Sequence, residues 1–73
     1  MLESARKNKG LTQKQLSKLS GISQSYISKL EDSYFIHSPT ITQIITLSRA
    51  LDIDPLELAD YFIKKEINSI KSI

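Results

Sequence analysis

Gly21 separates two short runs whose apolar residues recur at helical spacing, so closely joined that they must form two helices on one turn. The stretch is Leu11 to Glu31, LTQKQLSKLSGISQSYISKLE. Thr12 and Gln15 stand in capping-box spacing, where each side chain satisfies an orphan backbone donor of the first helical turn. Leu16 and Leu19 are expected on one face of that helix. Gly21 ends it, because the turn needs a positive φ that glycine tolerates. Ser23 is the N-cap of the next run. There Ile27 and Leu30 face inward with Ile22 just ahead, while Gln24, Ser25, Ser28 and Lys29 face out.

The remaining chain reads in the same terms. A first helix over Leu2 to Asn8 ends at Gly10, a left-handed C-terminal cap. After the loop DSYFIHSP, Thr40 and Gln43 repeat the capping box and open a fourth helix to Leu51. Its apolar residues Ile41, Ile44, Ile45, Leu47, Ala50 and Leu51 are too many for one narrow stripe, which predicts the central, most buried helix. Asp54, Pro55 and Glu57 start a fifth with an N-cap, a proline at the first helical position and a third capping-box pair. That helix carries Leu56, Leu58, Ala59, Phe62 and Ile63 and is able to continue through Ile67 and Ile70. No strand-period alternation stands out. The expectation is an all-α chain of five helices: a domain over residues 1–63 and a helical extension or tail over 64–73.

At 73 residues without cysteine, the chain is bounded to one small core held by helix packing, with no disulfide or thiolate metal site. No apolar run approaches the ~18 residues of a membrane span, and no signal pattern opens the chain. A cytoplasmic protein without a membrane partner is expected. The net charge of +2 hides a division along the sequence. Up to Leu30, Arg6, Lys7, Lys9, Lys14, Lys18 and Lys29 stand against Glu3 alone, whereas from Glu31 to Ile63 Arg49 stands against six acids. A polyanion would meet the first half.

Catalysis fits poorly. The lone His37 has no second imidazole or thiol with which to share a metal, and the two glycines are isolated rather than part of a phosphate loop. Neither enzyme activity nor a cofactor is expected. The Leu11–Glu31 pair meets a different set of demands. A major groove about 12 Å wide admits one helix whose first turns carry short or amide side chains. Gln24 can pair with N6 and N7 of adenine. Lys29, about a turn and a half on, can reach guanine or a phosphate. Ser25 and Ser28 are small enough for close approach. Gln13, beside the free N–H groups of its helix start, is placed to hold a phosphate. Lys14 and Lys18 add non-specific attraction.

With these residues in view, the stretch LTQKQLSKLSGISQSYISKLE resembles the Cro/C1-type, or XRE, helix-turn-helix family. The similarity runs from Arg6 to about Phe62 and includes PTITQIITLSRALDIDPLEL, similar to that family's fourth helix and the start of its fifth. The resemblance implies a five-helix, lambda-repressor-like fold and double-stranded DNA as partner. It implies that Gln13 clamps a backbone phosphate, that Gln24, Ser25 and Lys29 read bases, and that Ser23, Tyr26 and Ser28 support or extend the contact. Arg6 and Glu31 would form a salt bridge tying the first helix to the end of the recognition helix, a structural pair serving specificity of packing more than net stability.

The chain departs from the family in two places. Members often have Glu-Asn-Gly and a short basic loop after the recognition helix; here Glu31-Asp32-Ser33 leads into a longer Tyr34-Phe35-Ile36-His37-Ser38. Asp32 would repel a nearby phosphate. Tyr34, Phe35 and Ile36 either plug the core or help pair two subunits. The first helix also begins almost at Met1, as a short natural start or a truncation. At the other end, Ile67, Ile70 and Ile73 among Lys64, Lys65 and Lys71 predict a partner helix, the alternative being a frayed tail. The expected function is a sequence-specific transcriptional regulator, a repressor first and an activator second, working as a homodimer on a near-palindromic operator. Without an effector domain it would occupy an operator or touch RNA polymerase. The alternative is an antitoxin-like module whose main partner is a protein such as a toxin.

Overall fold

A computed structural model describes residues 1–34 and 38–71. Among these residues five helices follow one another: α1 (Leu2–Asn8), α2 (Gln13–Ser20), α3 (Gln24–Glu31), α4 (Ile41–Leu51) and α5 (Pro55–Lys71). No strand occurs among the described residues. The helix boundaries lie where local chemistry puts them. The Thr12 and Thr40 hydroxyls each accept from the amide three residues on, and their own backbone amides donate to the side-chain oxygens of Gln15 and Gln43, so both capping boxes form. The Asp54 carboxylate instead accepts from the amide of Leu56 at 2.9 Å, a simple cap ahead of Pro55 rather than a third reciprocal box.

The ends are equally local. Gly10, at φ +71°, lets its own amide reach Lys7 O and that of Leu11 reach Arg6 O, the paired bonds of a Schellman motif. Gly21, at φ +74°, closes α2 through Ser17 O. The C-terminus of α4 is closed by a non-glycine residue, Asp52, at φ 57°. An aspartate accepts this conformation more readily than most side chains.

The core gathers one stripe from each helix: Leu2 of α1, Leu16 of α2, Ile27 and Leu30 of α3, Leu47 and Leu51 of α4, Leu58 and Phe62 of α5. α4 packs against both α2 and α5 and so is central, as its composition predicts. Its buried stripe differs from the expected one. Ile44, Leu47, Ser48 and Leu51 go inward, while Ile41 is 77% and Ile45 38% exposed. These four positions follow the i, i+3, i+4, i+7 spacing that one face requires. Ser48 is tolerated inside because its hydroxyl donates back to Ile44 O. Leu19, expected beside Leu16, is 62% exposed; α2 has only two turns, and its inner face is filled by Leu16.

α5 runs unbroken past residue 63 to Lys71, with Phe62 its last fully buried apolar side chain. Ile63, Ile67 and Ile70, at i, i+4 and i+7, stay exposed on one side of it. Ile73 lies outside the described residues.

A Cβ placed on Gly21 meets no atom within 4 Å, so replacing this glycine costs only backbone strain. We expect Gly21→Ala to destabilise the domain by about 1 kcal/mol, and Gly21→Asn by less. Thermal unfolding followed by circular dichroism should register a fall of roughly 4–8 °C for each kcal/mol in a domain of this size. An unchanged midpoint for the alanine variant would mean that the turn does not need its left-handed residue.

Candidate nucleic-acid interface

The outward face of α3 is built from four exposed side chains: Gln24, Ser25, Ser28 and Lys29. At about 100° per residue they cover an arc of roughly 140°, opposite Ile27 and Leu30. Gln24, Ser25, Ser28 and Lys29 line one shallow concavity together with Gln13 of α2. A second concavity continues from Gln24 and Gln13 past Lys14 to Lys7. Three successive helices thus present amide, hydroxyl and ammonium groups on one continuous surface. Lys14, Lys18 and Lys29 form no ion pair among the described residues, whereas Lys7 is paired with Glu3 and Lys9 with Asp52.

α3 is held at its start by the turn before it. Ser23 Oγ accepts from Tyr26 N at 3.2 Å. Ser20 Oγ accepts from Ile22 N, and Ser17 donates its hydroxyl to Ile22 O. Every polar backbone group of Ile22, in the middle of the turn, is therefore satisfied by a serine of α2. The sequence reading passed over Ser17 and Ser20, although two serines in the last helical turn before a glycine were a usable signal.

At its other end α3 is gripped through Glu31. Arg6 donates Nε to Glu31 Oε2 at 2.7 Å and a terminal nitrogen to Oε1 at 3.0 Å, a bidentate pair. Its remaining guanidinium nitrogen donates to Leu11 O at 2.7 Å. The two side chains are only 10% and 4% exposed. Hydrogen bonding to Glu31 drives the Arg6 pKa further up, against a smaller opposing effect of burial. The pair joins α1 to the end of α3, as the family resemblance implies.

Gln13 is half-buried and donates Nε2 to Glu31 Oε1 at 3.0 Å. Its carboxamide nitrogen carries two hydrogens, so this bond leaves one for a further acceptor. The capping box engages the amides of Thr12 and Gln15 and leaves those of Gln13 and Lys14 at the helix start. Tyr26 sits differently from its neighbours. Its ring packs against the core, with the hydroxyl 3.5 Å from Ser38 O. Its place is that of a strut under α3 rather than of an exposed reader.

The segment after α3 turns on itself: Asp32 Oδ1 accepts from Tyr34 N at 2.9 Å. Tyr34 is 90% exposed and does not plug the core, contrary to one of the two expectations for it. Phe35, Ile36 and His37 lie outside the described residues. Among the described residues no group of acids or histidines is placed to hold a metal ion, and no helix is long and apolar enough to cross a membrane.

Removing one member of the Arg6–Glu31 pair leaves a buried charge without its partner, which costs about 3 kcal/mol. We expect Arg6→Met and Glu31→Met each to lower stability by about that much, and the double variant to recover most of the loss. Urea unfolding of the three variants tests this; strict additivity would show that the two side chains do not act as a unit.

Comparison with protein families matches residues 2–58, more than half of the chain, to the helix-turn-helix family. Comparison with curated proteins and with solved structures gave no match. The matched span covers all of α1 to α4 and the opening of α5, which makes the five-helix fold lambda-repressor-like and DNA the partner of the domain. The chain belongs to the Cro/C1-type (XRE) helix-turn-helix family of DNA-binding, non-enzymatic domains.

Proposed function

We propose that the protein is a sequence-specific transcriptional repressor that binds a near-palindromic operator as a homodimer, with α3 in the major groove. The observation that carries this reading is the surface that Gln24, Ser25, Ser28 and Lys29, on a helix fixed at both ends, share with Gln13 of α2. Gln24 and Lys29 are the base readers, by bidentate hydrogen bonding to adenine and guanine edges. Ser25 and Ser28 make close contacts that a longer side chain would block. Ser23 caps α3 and extends the contact at its start, and Tyr26 supports the helix from behind.

Gln13 bridges Glu31 and a backbone phosphate, using the second hydrogen of its amide. The free amides at the start of α2 and the ammonium of Lys14 complete that phosphate site. Domain boundaries follow from the same reading: residues 1–63 form the DNA-binding domain, and 64–73 extend α5 toward a partner copy.

One recognition helix touches too few base pairs to specify a genomic site, which favours a twofold pair with half-sites about 34 Å apart. Ile63, Ile67 and Ile70, between 46% and 63% exposed on one side of α5, supply an apolar face for that pair. The same face also suits an unrelated protein, as an antitoxin-like module would require.

Selection from a randomised duplex pool at moderate salt distinguishes these readings. Enrichment of two half-sites is expected, with log affinity falling linearly against log salt. Gln24→Ala and Lys29→Ala should each relax choice at one base position by about 1–3 kcal/mol. Ile67→Glu should convert the dimer to monomer in sedimentation and abolish the preference for two half-sites over one. Salt-dependent binding without an enriched motif would leave a non-specific DNA binder, and no binding would favour the protein-partner alternative.

A further inference from the structure

α3 has a second polar attachment at its C-terminal end, and it comes from beyond the span that matches the family. Lys65 lies in the distal half of α5, past residue 58 where the match ends. Its Nζ donates to the backbone carbonyl of Asp32, the C-cap of α3, at 2.9 Å. Its neighbour Lys64 points away and pairs with Asp60 one turn back, at 2.9 Å. The Lys65 Nζ lies over the Phe62 ring, 5.8 Å from its centroid, and Phe62 is itself 1% exposed. The ammonium is therefore aimed by a fixed part of the core.

The contact is not an ordinary surface ion pair, since Lys65 forms no salt bridge among the described residues. Burial holds its pKa below the usual lysine range, with the Asp32 carboxylate acting in the opposite direction. What the position offers a cation is the negative end of the α3 dipole and a carbonyl that has no helical partner. Asp32 in turn donates its amide to Lys29 O at 3.1 Å. A chain of two hydrogen bonds thus runs from Lys65, through the cap, to the backbone of Lys29.

We propose that Lys65 is a positioning residue for DNA recognition: it braces the last turn of α3 from α5 and so fixes the backbone that aims Lys29. The brace makes base reading depend on the distal half of α5. This rests on the reading of α3 as the base-contacting helix.

The test compares Lys65→Met with Lys64→Met, which removes the same charge without the brace, and with Lys65→Arg, which keeps a donor. Hydrogen exchange of the free proteins is read at Leu30, Glu31 and Asp32. Affinity is read for the duplex enriched from the random pool and for a scrambled duplex, at a temperature where circular dichroism shows all variants folded. Lys65→Met should speed exchange in the last turn of α3 and weaken the enriched duplex about fivefold relative to Lys64→Met, in keeping with loss of one solvent-exposed hydrogen bond. The scrambled duplex should show no difference between the two, and Lys65→Arg should restore both readouts. Equal behaviour of the two methionine variants, or faster exchange with unchanged duplex affinity, overturns the proposal. If no duplex enriches, the regulator reading itself fails, whereas unchanged exchange in Lys65→Met rejects the brace alone.

Discussion

The bidentate bond between Arg6 and Glu31 is the junction on which the rest of the arrangement depends. One guanidinium holds the end of α3 through Glu31 and the loop before α2 through Leu11 O. Gln13 adds α2 to the same carboxylate. Three helices therefore meet at one acid that is 4% exposed. A pair this well buried gains little net stability, because desolvation of both charges offsets most of their attraction. Its contribution is geometric. The planar fork and the carboxylate accept few relative orientations, so α1, α2 and α3 are fixed in mutual register as well as held together.

That register matters because α3 is short. Eight residues make about two turns, well below the length at which an isolated helix is stable in water. Its shape is consequently a property of what grips it. The inner stripe of Ile27 and Leu30 anchors it to the core, the serines of α2 hold its start, and Glu31 and Asp32 tie its end to α1, α2 and α5. With so many constraints on the inward side, Gln24, Ser25, Ser28 and Lys29 are left without a structural duty. That exposed surface can vary without unfolding the helix that carries it.

What was legible in the sequence follows the range of the interactions involved. Both threonine capping boxes, the two left-handed glycines and the proline start of α5 depend on residues within a turn of one another, and each occupies its expected place. Local chemistry does not say which side of a helix meets its neighbours. Ile41 and Ile45 are apolar and exposed, whereas Ser48 is polar and buried, because α4 turns its 44–47–48–51 stripe to the core; on α2, Leu16 alone fills the inner face and leaves Leu19 outside. Asp52 closes a helix at φ 57° where the sequence offers no glycine to mark the stop. Longer-range pairs were out of reach of spacing arguments. Arg6–Glu31 could be expected only through family resemblance, and the bond from Gln13 to Glu31 was not anticipated. Neither was Lys65 to Asp32, a contact across 33 positions.

The two sides of α5 carry different kinds of chemistry, and their placement on one rod links them. Inward, Leu58 and Phe62 complete the core and Lys65 reaches the end of α3. Outward, Ile63, Ile67 and Ile70 expose an apolar series that water would prefer to see covered. A helix end is the part that frays first when few contacts hold it. Past Phe62, only Lys65 and Ser69 among residues 63–70 are turned partly inward, so any partner on the isoleucine face would hold in its helical form the same turn that carries the lysine. Under the proposed pairing, assembly and base reading would then be coupled through one helix. The coupling would be reciprocal, since whatever fixes α3 on DNA must equally favour the form of α5 that pairs.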